Sequence, residues 1–366
     1  MKILKELALI LIATLCACFF LAYLNQNQKP AASETFVFEA GAYVPEPLLE
    51  KYEYDALAAH ALREGDLLLL GSSELTSPAS TVSYRYVPRL CQRRVLAAGR
   101  AGFQSLGMLL TLERTRQALS ERSKIAIVLS PGWFSQRGTS TNRFLNAADE
   151  AELIRLGADP HLHKETRRVI GRQVRERRDE ITGLWPYWAL WSFPFTYADE
   201  PMWGRAPERE FAPVTLAPIP TGRADFKADE KLERGKMDAQ IAKNGFGVTD
   251  AVAAELNRRP PPAPASKLDP WEREVGDLFA LSSYLKERGV RAHFIMQPVH
   301  RRLYSGLESY DALFARVEER LKADGHSWYT AFPEPYDLKW LSDRAHFSDY
   351  GWLMISQELC RWLTSN

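Results

Sequence analysis

Short apolar runs that stop at glycine or proline recur along this chain of 366 residues. Three of them are Leu67–Leu70 before Gly71, Val95–Ala98 before Gly99, and Ile125–Leu129 shortly before Pro131. A run of four or five apolar residues between turn residues is typical of a strand buried on both faces. Segments with helical spacing of apolar residues separate these runs, among them 106–112. The pattern predicts an α/β fold with a mainly parallel sheet and helices on both faces.

The last third of the chain repeats this alternation. Apolar positions between Trp271 and Leu285, and again between Tyr310 and Leu321, are spaced for one face of a helix. Between these two helices, Arg291–Met296 is predicted to be a strand. Residues 139–266 break the rhythm and are predicted to form an irregular insertion. Its basic stretch from Lys164 to Arg178 indicates either a solvated helix face or a surface attracted to anionic lipid or polymer.

The N-terminus contains an apolar run from Leu7 to Leu24 that carries no charge. As a helix it would extend about 27 Å, close to the thickness of a bilayer core. Because Lys2 and Lys5 precede it, residues 1–24 are predicted to be an uncleaved anchor of the cell membrane with a cytoplasmic N-terminus. Residues 25–48 would be a juxtamembrane linker and 49–366 an extracytoplasmic domain. A cleaved signal peptide, or a lipoprotein signal acylated in the segment 15–18, remains an alternative.

Composition and motifs exclude several other classes of function. Lysine and arginine number 47 and acidic residues 46, a net charge of +1, which argues against a nucleic-acid partner. His161 and His163 have no cysteine or carboxylate at ligand spacing, so no metal is expected. The sequence contains no phosphate-binding loop and no dinucleotide fingerprint, so no cofactor is expected either.

Two short segments carry residues suited to acyl transfer. Ser73 follows the first apolar run directly, and ligands of open α/β sheets bind beyond the carboxyl ends of strands. Asp343 precedes His346 by three residues, just before a helix predicted to begin near Ser348. An aspartate at that distance can hold the imidazole so that its other nitrogen takes the serine proton. The combination predicts a Ser-His-Asp triad.

This order of motifs resembles the SGNH hydrolase superfamily and, more closely, the DltD family of D-alanine transfer proteins. The similar segments are 70–75, 99–106, 130–134, 244–247, 297–299, 304–306 and 343–352, together with the N-terminal anchor. The resemblance implies an SGNH/flavodoxin-like three-layer fold with one N-terminal transmembrane helix. It assigns Ser73 as the nucleophile, His346 as the general base and Asp343 as its partner. The backbone amides of Ser73 and Gly102 would bind the oxyanion, whereas Gly132 offers no side chain as a third donor.

The same resemblance implies transfer of D-alanine to an anionic polymer of the cell envelope similar to lipoteichoic acid. A membrane acyltransferase and an acyl carrier would be partners in this D-alanylation pathway. Two alternatives remain open at this point. One is an SGNH-type esterase, thioesterase or O-acetyltransferase acting on envelope glycans, and the other is a non-catalytic partner of a membrane acyltransferase complex.

Overall fold

The computed structural model describes residues 36–38, 51–99, 103–134, 153, 156, 159, 161–177, 179–180, 211, 214–216, 218–258, 263–264, 272–298, 304–305, 308–330, 338–343 and 346–365. The strands are β1 Phe36–Phe38, β2 Leu67–Gly71, β3 Val95–Gly99, β4 Lys124–Leu129, β5 Val214–Leu216, β6 Ala263–Pro264, β7 His293–Met296, β8 Tyr304–Ser305 and β9 Ser327–Thr330. The α-helices are α1 Lys51–Glu64, α2 Ser83–Cys91, α3 Ser105–Arg114, α4 Lys164–Glu176, α5 Phe226–Asn244, α6 Asp250–Arg258, α7 Glu272–Glu287, α8 Glu308–Ala323 and α9 Asp349–Ser365.

Five strands form a parallel sheet in the order β3-β2-β4-β7-β9. The chain enters at β2, passes to β3 on one side and then crosses to β4 on the other. The strand order therefore reverses between β2 and β4, and a ligand site is expected beyond the carboxyl ends of these two strands. The predicted α/β fold with a mainly parallel sheet is confirmed.

Successive residues of the central strands point to opposite faces of the sheet and enter two separate cores. On one face, residues such as Leu68 and Ile127 pack with apolar side chains of α1, α3, α4, α7 and α8. On the other face, Leu69 and Val128 pack with side chains of α2 and α9. The four central apolar residues of β2 are at most 1% exposed, which explains the continuous apolar run in the sequence.

The insertion is more regular than its sequence indicates, because the described part of 139–266 contains α4, α5 and α6. The basic stretch forms α4, and this helix is not simply a solvated face. Arg167 and Arg177 are each only 5% exposed, and Arg167 donates to the carbonyl of Asp159 at 2.7 Å. Both arginines are therefore part of the interior of the fold.

Among the described residues, no helix is long and apolar enough to cross a membrane. The predicted anchor at 1–24 lies outside those residues. Within the predicted linker, 25–48, only 36–38 are described, and they form β1, which pairs in parallel with β5.

A disulfide between Cys91 and Cys360 joins the end of α2 to α9 across 269 residues of sequence. The two helices pack side by side on the same face of the sheet. Since α2 follows the Ser73 turn and α9 follows His346, this covalent link holds together the two parts of the chain that carry the candidate site.

Candidate active site

Ser73 begins a single turn of 3-10 helix, Ser73–Thr76, at the carboxyl end of β2. The turn is closed by a hydrogen bond from the Thr76 hydroxyl to the Ser73 carbonyl at 2.6 Å. Gly71 and Gly99 are paired at the ends of β2 and β3, and a Cβ on Gly99 would lie 2.6 Å from the carbonyl oxygen of Gly71. The absence of side chains here lets the two strand ends approach and fixes where the turn begins.

His346 lies in a tight loop just before α9. The Ser342 amide donates to the His346 carbonyl at 2.9 Å, and the Ser348 amide donates to the Trp340 carbonyl at the same distance. Gly351 lets α9 pack directly on this loop, because a Cβ there would lie 2.3 Å from the Trp340 carbonyl oxygen. The loop is therefore held by backbone contacts on both sides of the histidine.

Ser73, His346 and Asp343 form a continuous chain of hydrogen bonds. The Ser73 Oγ lies 3.1 Å from His346 Nε2, and His346 Nδ1 lies 2.7 Å from Asp343 Oδ2. The other oxygen of Asp343 accepts from the His346 backbone amide, also at 2.7 Å. Because the carboxylate faces Nδ1, that nitrogen carries the ring proton, and Nε2 is left to accept the proton of Ser73. The structure thus brings together the three side chains that the sequence singles out.

The surroundings favour a charged imidazole. The hydrogen bond to Asp343 raises the pKa of His346, burial opposes this, and the charges of Asp343 and Glu74 raise the pKa further. The His346 side chain is still 40% exposed, so a substrate can reach it from solvent. An arrangement that stabilises the imidazolium suits a base that must accept a proton and return it.

Asp349 connects the loop after Ser73 with the helix after His346. Its Oδ1 accepts hydrogen bonds from the Ser80 amide at 2.8 Å and from the Thr81 hydroxyl at 3.1 Å. The Thr81 hydroxyl also donates to the Asp349 carbonyl at 2.6 Å. These contacts, together with the disulfide, fix the position of the His346 segment relative to the Ser73 segment.

Residues at the ends of two further strands lie at the same edge of the sheet. Ser130 follows β4 and Gln297 follows β7, and Gln297 Nε2 lies 3.2 Å from Ser130 Oγ. Gly132 belongs to the 3-10 turn Pro131–Phe134 and contributes no side chain to this edge. Gly102, predicted as an oxyanion donor, lies outside the described residues.

Three of the remaining histidines have structural contacts. His163 accepts from the Glu165 amide at the start of α4, and His293 is buried with Nδ1 2.8 Å from Ser327 Oγ. The Nε2 of His326 is 3.1 Å from the Ser282 carbonyl. His300 lies outside the described residues. No group of three or more His, Cys, Asp or Glu side chains in the described ranges is arranged to hold a metal ion.

Two features of the site escape sequence reasoning. Glu74 is 1% exposed and lies directly after Ser73, and burial raises its pKa to about 7. In the sequence, the signal for this buried acid is its position between Ser73 and the apolar Leu75. The disulfide had only the weak signal of two cysteines outside the N-terminal run, because nothing local relates Cys91 to Cys360.

Comparison with known proteins supports the family resemblance. A family model described as DltD protein matches residues 50–182 and 232–364, which together make up well over half of the chain. The matched segments include Ser73, Asp343 and His346. A search of curated proteins found no match to the chain.

Proposed function

The chain belongs to the DltD family, whose members take part in D-alanylation of envelope polymers, and from this we propose that it is a serine-dependent D-alanyl transferase. The observation that carries the proposal is the hydrogen-bonded series of Ser73, His346 and Asp343, with distances of 3.1 and 2.7 Å. These distances are within the reach required of a nucleophile and its base.

The first half of the reaction would load D-alanine onto Ser73. His346 Nε2 takes the hydroxyl proton while Ser73 Oγ bonds to the carbonyl carbon of a D-alanyl group on its carrier. The bond to the carrier then breaks, and the leaving group receives the proton from His346. Asp343 stabilises the imidazolium between these two steps.

In the second half, a hydroxyl of the envelope polymer gives its proton to His346 and attacks the D-alanyl-serine ester. Ser73 Oγ leaves and recovers the proton, so that the polymer holds the D-alanyl ester and the enzyme is regenerated. The backbone amides of Ser73 and Gly102 are proposed to stabilise the oxyanion in both halves.

Hydrolysis is the second candidate activity, and the exposure of His346 favours it. Because 40% of the His346 side chain is exposed, water can approach Nε2 and replace the polymer hydroxyl as the acyl acceptor. An esterase or thioesterase would use the same first half-reaction. The two activities are distinguished by incubating the full chain with an acylated carrier and following whether D-alanine appears on added polymer or free in solution.

We also propose that residues 1–24 anchor the protein in the cell membrane with residues 49–366 outside the cytoplasm. A disulfide in the fold supports this placement, because disulfides persist mainly in oxidising compartments. A membrane acyltransferase, an acyl carrier and an anionic polymer are the proposed partners at that location. A reporter fused after Asn366 should be active only outside the cytoplasm, and activity confined to the cytoplasm would contradict the placement.

The test of the function itself is the D-alanine ester content of the envelope polymer in cells that lack the protein and carry either the wild-type chain or Ser73→Ala. If Ser73 is the nucleophile, the wild-type chain alone should restore the D-alanine ester. Restoration by both proteins at equal abundance would instead favour a non-catalytic partner.

A further inference from the structure

Glu74 is a buried acid that the proposed reaction does not use. Its side chain lies behind the nucleophile, where Oε1 accepts a hydrogen bond from the Ser72 amide at 2.6 Å. This amide immediately precedes Ser73, so the buried carboxylate binds the backbone next to the nucleophile.

The amide of Ser73 is left out of this arrangement. Among the described residues it has no hydrogen-bond acceptor, although the preceding amide, that of Ser72, is held by Glu74. An amide at the carboxyl edge of the sheet that is not satisfied internally is available to a developing oxyanion.

Space for the carboxylate is provided by a glycine. A Cβ on Gly71 would lie 2.7 Å from Leu75 Cγ, too close for a side chain, and 3.1 Å from Glu74 Oε1, a tight contact. Burying an acid costs free energy unless its oxygens are hydrogen-bonded, so the hydrogen bond from the Ser72 amide stabilises the glutamate at this place.

We propose that Glu74 is a positioning residue, which holds the amide immediately before Ser73 so that the Ser73 amide and hydroxyl face the substrate. This inference rests on the proposed function, because it assigns a role relative to Ser73 as the nucleophile. It adds to the triad a second carboxylate that acts through the backbone.

The charge of Glu74 provides a readout that a purely structural role would not give. His346 is the titratable group whose charge acts on Glu74, and in turn the Glu74 charge favours the protonated form of His346. Ser73 reacts only when His346 is neutral. Removing the charge at position 74 should therefore lower the pKa of His346. The reactivity of Ser73 should then begin to rise at a lower pH.

The experiment follows covalent labelling of Ser73 by a fluorophosphonate in the full-length chain in detergent, as a function of pH. The variants are Glu74→Gln, Ser73→Ala as the blank, and Glu113→Gln as the matched control. Glu113 is equally buried, but it lies in the last turn of α3 and pairs with Arg116. A neutral glutamine oxygen accepts a weaker hydrogen bond than a carboxylate, so Glu74→Gln should label at least about tenfold more slowly at its plateau, with a midpoint at lower pH. Glu113→Gln should keep the wild-type midpoint.

The outcomes separate this inference from the proposed function. If the wild type is labelled at Ser73 and Glu74→Gln shows the same rate and midpoint, the inference is overturned and the proposed function stands. If the wild type itself is not labelled at Ser73, both fail. Should Glu74→Gln unfold, Glu74→Asp carries the test, because it keeps the charge and should combine a slower plateau with the wild-type midpoint. A shifted midpoint in Glu74→Asp would overturn the inference.

Discussion

The hydroxyl of Ser73 lies 3.1 Å from Nε2 of His346, although 273 residues separate the two in sequence. The segments that carry them are joined by the hydrogen bonds of Asp349 and by the disulfide between Cys91 and Cys360. The geometry of the pair therefore depends on contacts between the beginning and the end of the domain.

The activity should rise with pH as His346 loses its proton. The hydrogen bond to Asp343 raises the pKa of His346 above its ordinary value of 6.5, so the base stays protonated and inactive to a higher pH. Asp343→Asn removes this effect and should move the midpoint to lower pH. Initial rates of acyl transfer between about pH 5 and 8 measure both midpoints. A midpoint that is unchanged or higher in Asp343→Asn would contradict the assigned hydrogen bond.

Asp343→Ala should be less damaging than His346→Ala. In the proposed mechanism, Asp343 orients the ring and stabilises its charge, but the proton itself moves through His346. We expect the Asp343 variant to keep activity on the order of tenfold or more above that of the His346 variant. Single-turnover rates at equal protein concentration decide the order, and the reverse order would show that Asp343 has another role.

Gly99→Ala should displace the Ser73 turn, although Gly99 is not itself one of the candidate catalytic residues. The added Cβ would lie 2.6 Å from the Gly71 carbonyl oxygen, so the end of β2 must move and the Ser73 turn with it. We expect a loss of about 1–3 kcal/mol in the free energy of unfolding and a marked fall in activity. Gly235→Ala in α5 is the control, since nothing lies within 4 Å of its added Cβ. Denaturant unfolding of the two variants provides the comparison, and equal stability would argue against the close approach of the strands.

Much of the fold could be predicted because the central strands are buried on both faces. The apolar runs of β2, β3, β4 and β7 follow directly from that burial, and a glycine or a nearby proline marks the end of each. In contrast, β9, Ser327–Thr330, is an edge strand of half-buried and exposed residues without an apolar run. The burial of Arg167 was also not predictable, because the groups around it come from other parts of the chain.

Some residues of the candidate site could likewise be predicted from the sequence, and others could not. Ser73, Asp343 and His346 were accessible because each lies in a local motif next to a predicted element. The role inferred for Glu74 depends on the hydrogen bond that its carboxylate accepts from the Ser72 amide. The disulfide depends on the pairing of two cysteines that are 269 residues apart. Neither relationship leaves a periodic pattern in the sequence.

The disulfide should stabilise the domain. Replacing both Cys91 and Cys360 by serine removes a link that closes a long loop, and we expect a loss of about 2–4 kcal/mol in the free energy of unfolding. The measurement is denaturant unfolding of the wild type and the double variant, each with and without reductant. Reductant should destabilise the wild type and leave the double variant unchanged. A wild type that is insensitive to reductant would contradict the prediction.

The identity of the nucleophile is the central claim, and neighbouring serines provide the most direct test of it. Ser73→Ala and His346→Ala should each abolish D-alanine ester formation on the envelope polymer, and the double variant should be no worse, because nucleophile and base act as one unit. Ser72→Ala should retain most of the activity, since the contact of Ser72 with Glu74 uses its backbone amide. The measurement is polymer ester content in complemented cells at equal protein levels. If Ser73 is the nucleophile, cells with Ser72→Ala should contain the ester and cells with Ser73→Ala should contain none. Normal ester content with both Ser73→Ala and His346→Ala would contradict this assignment.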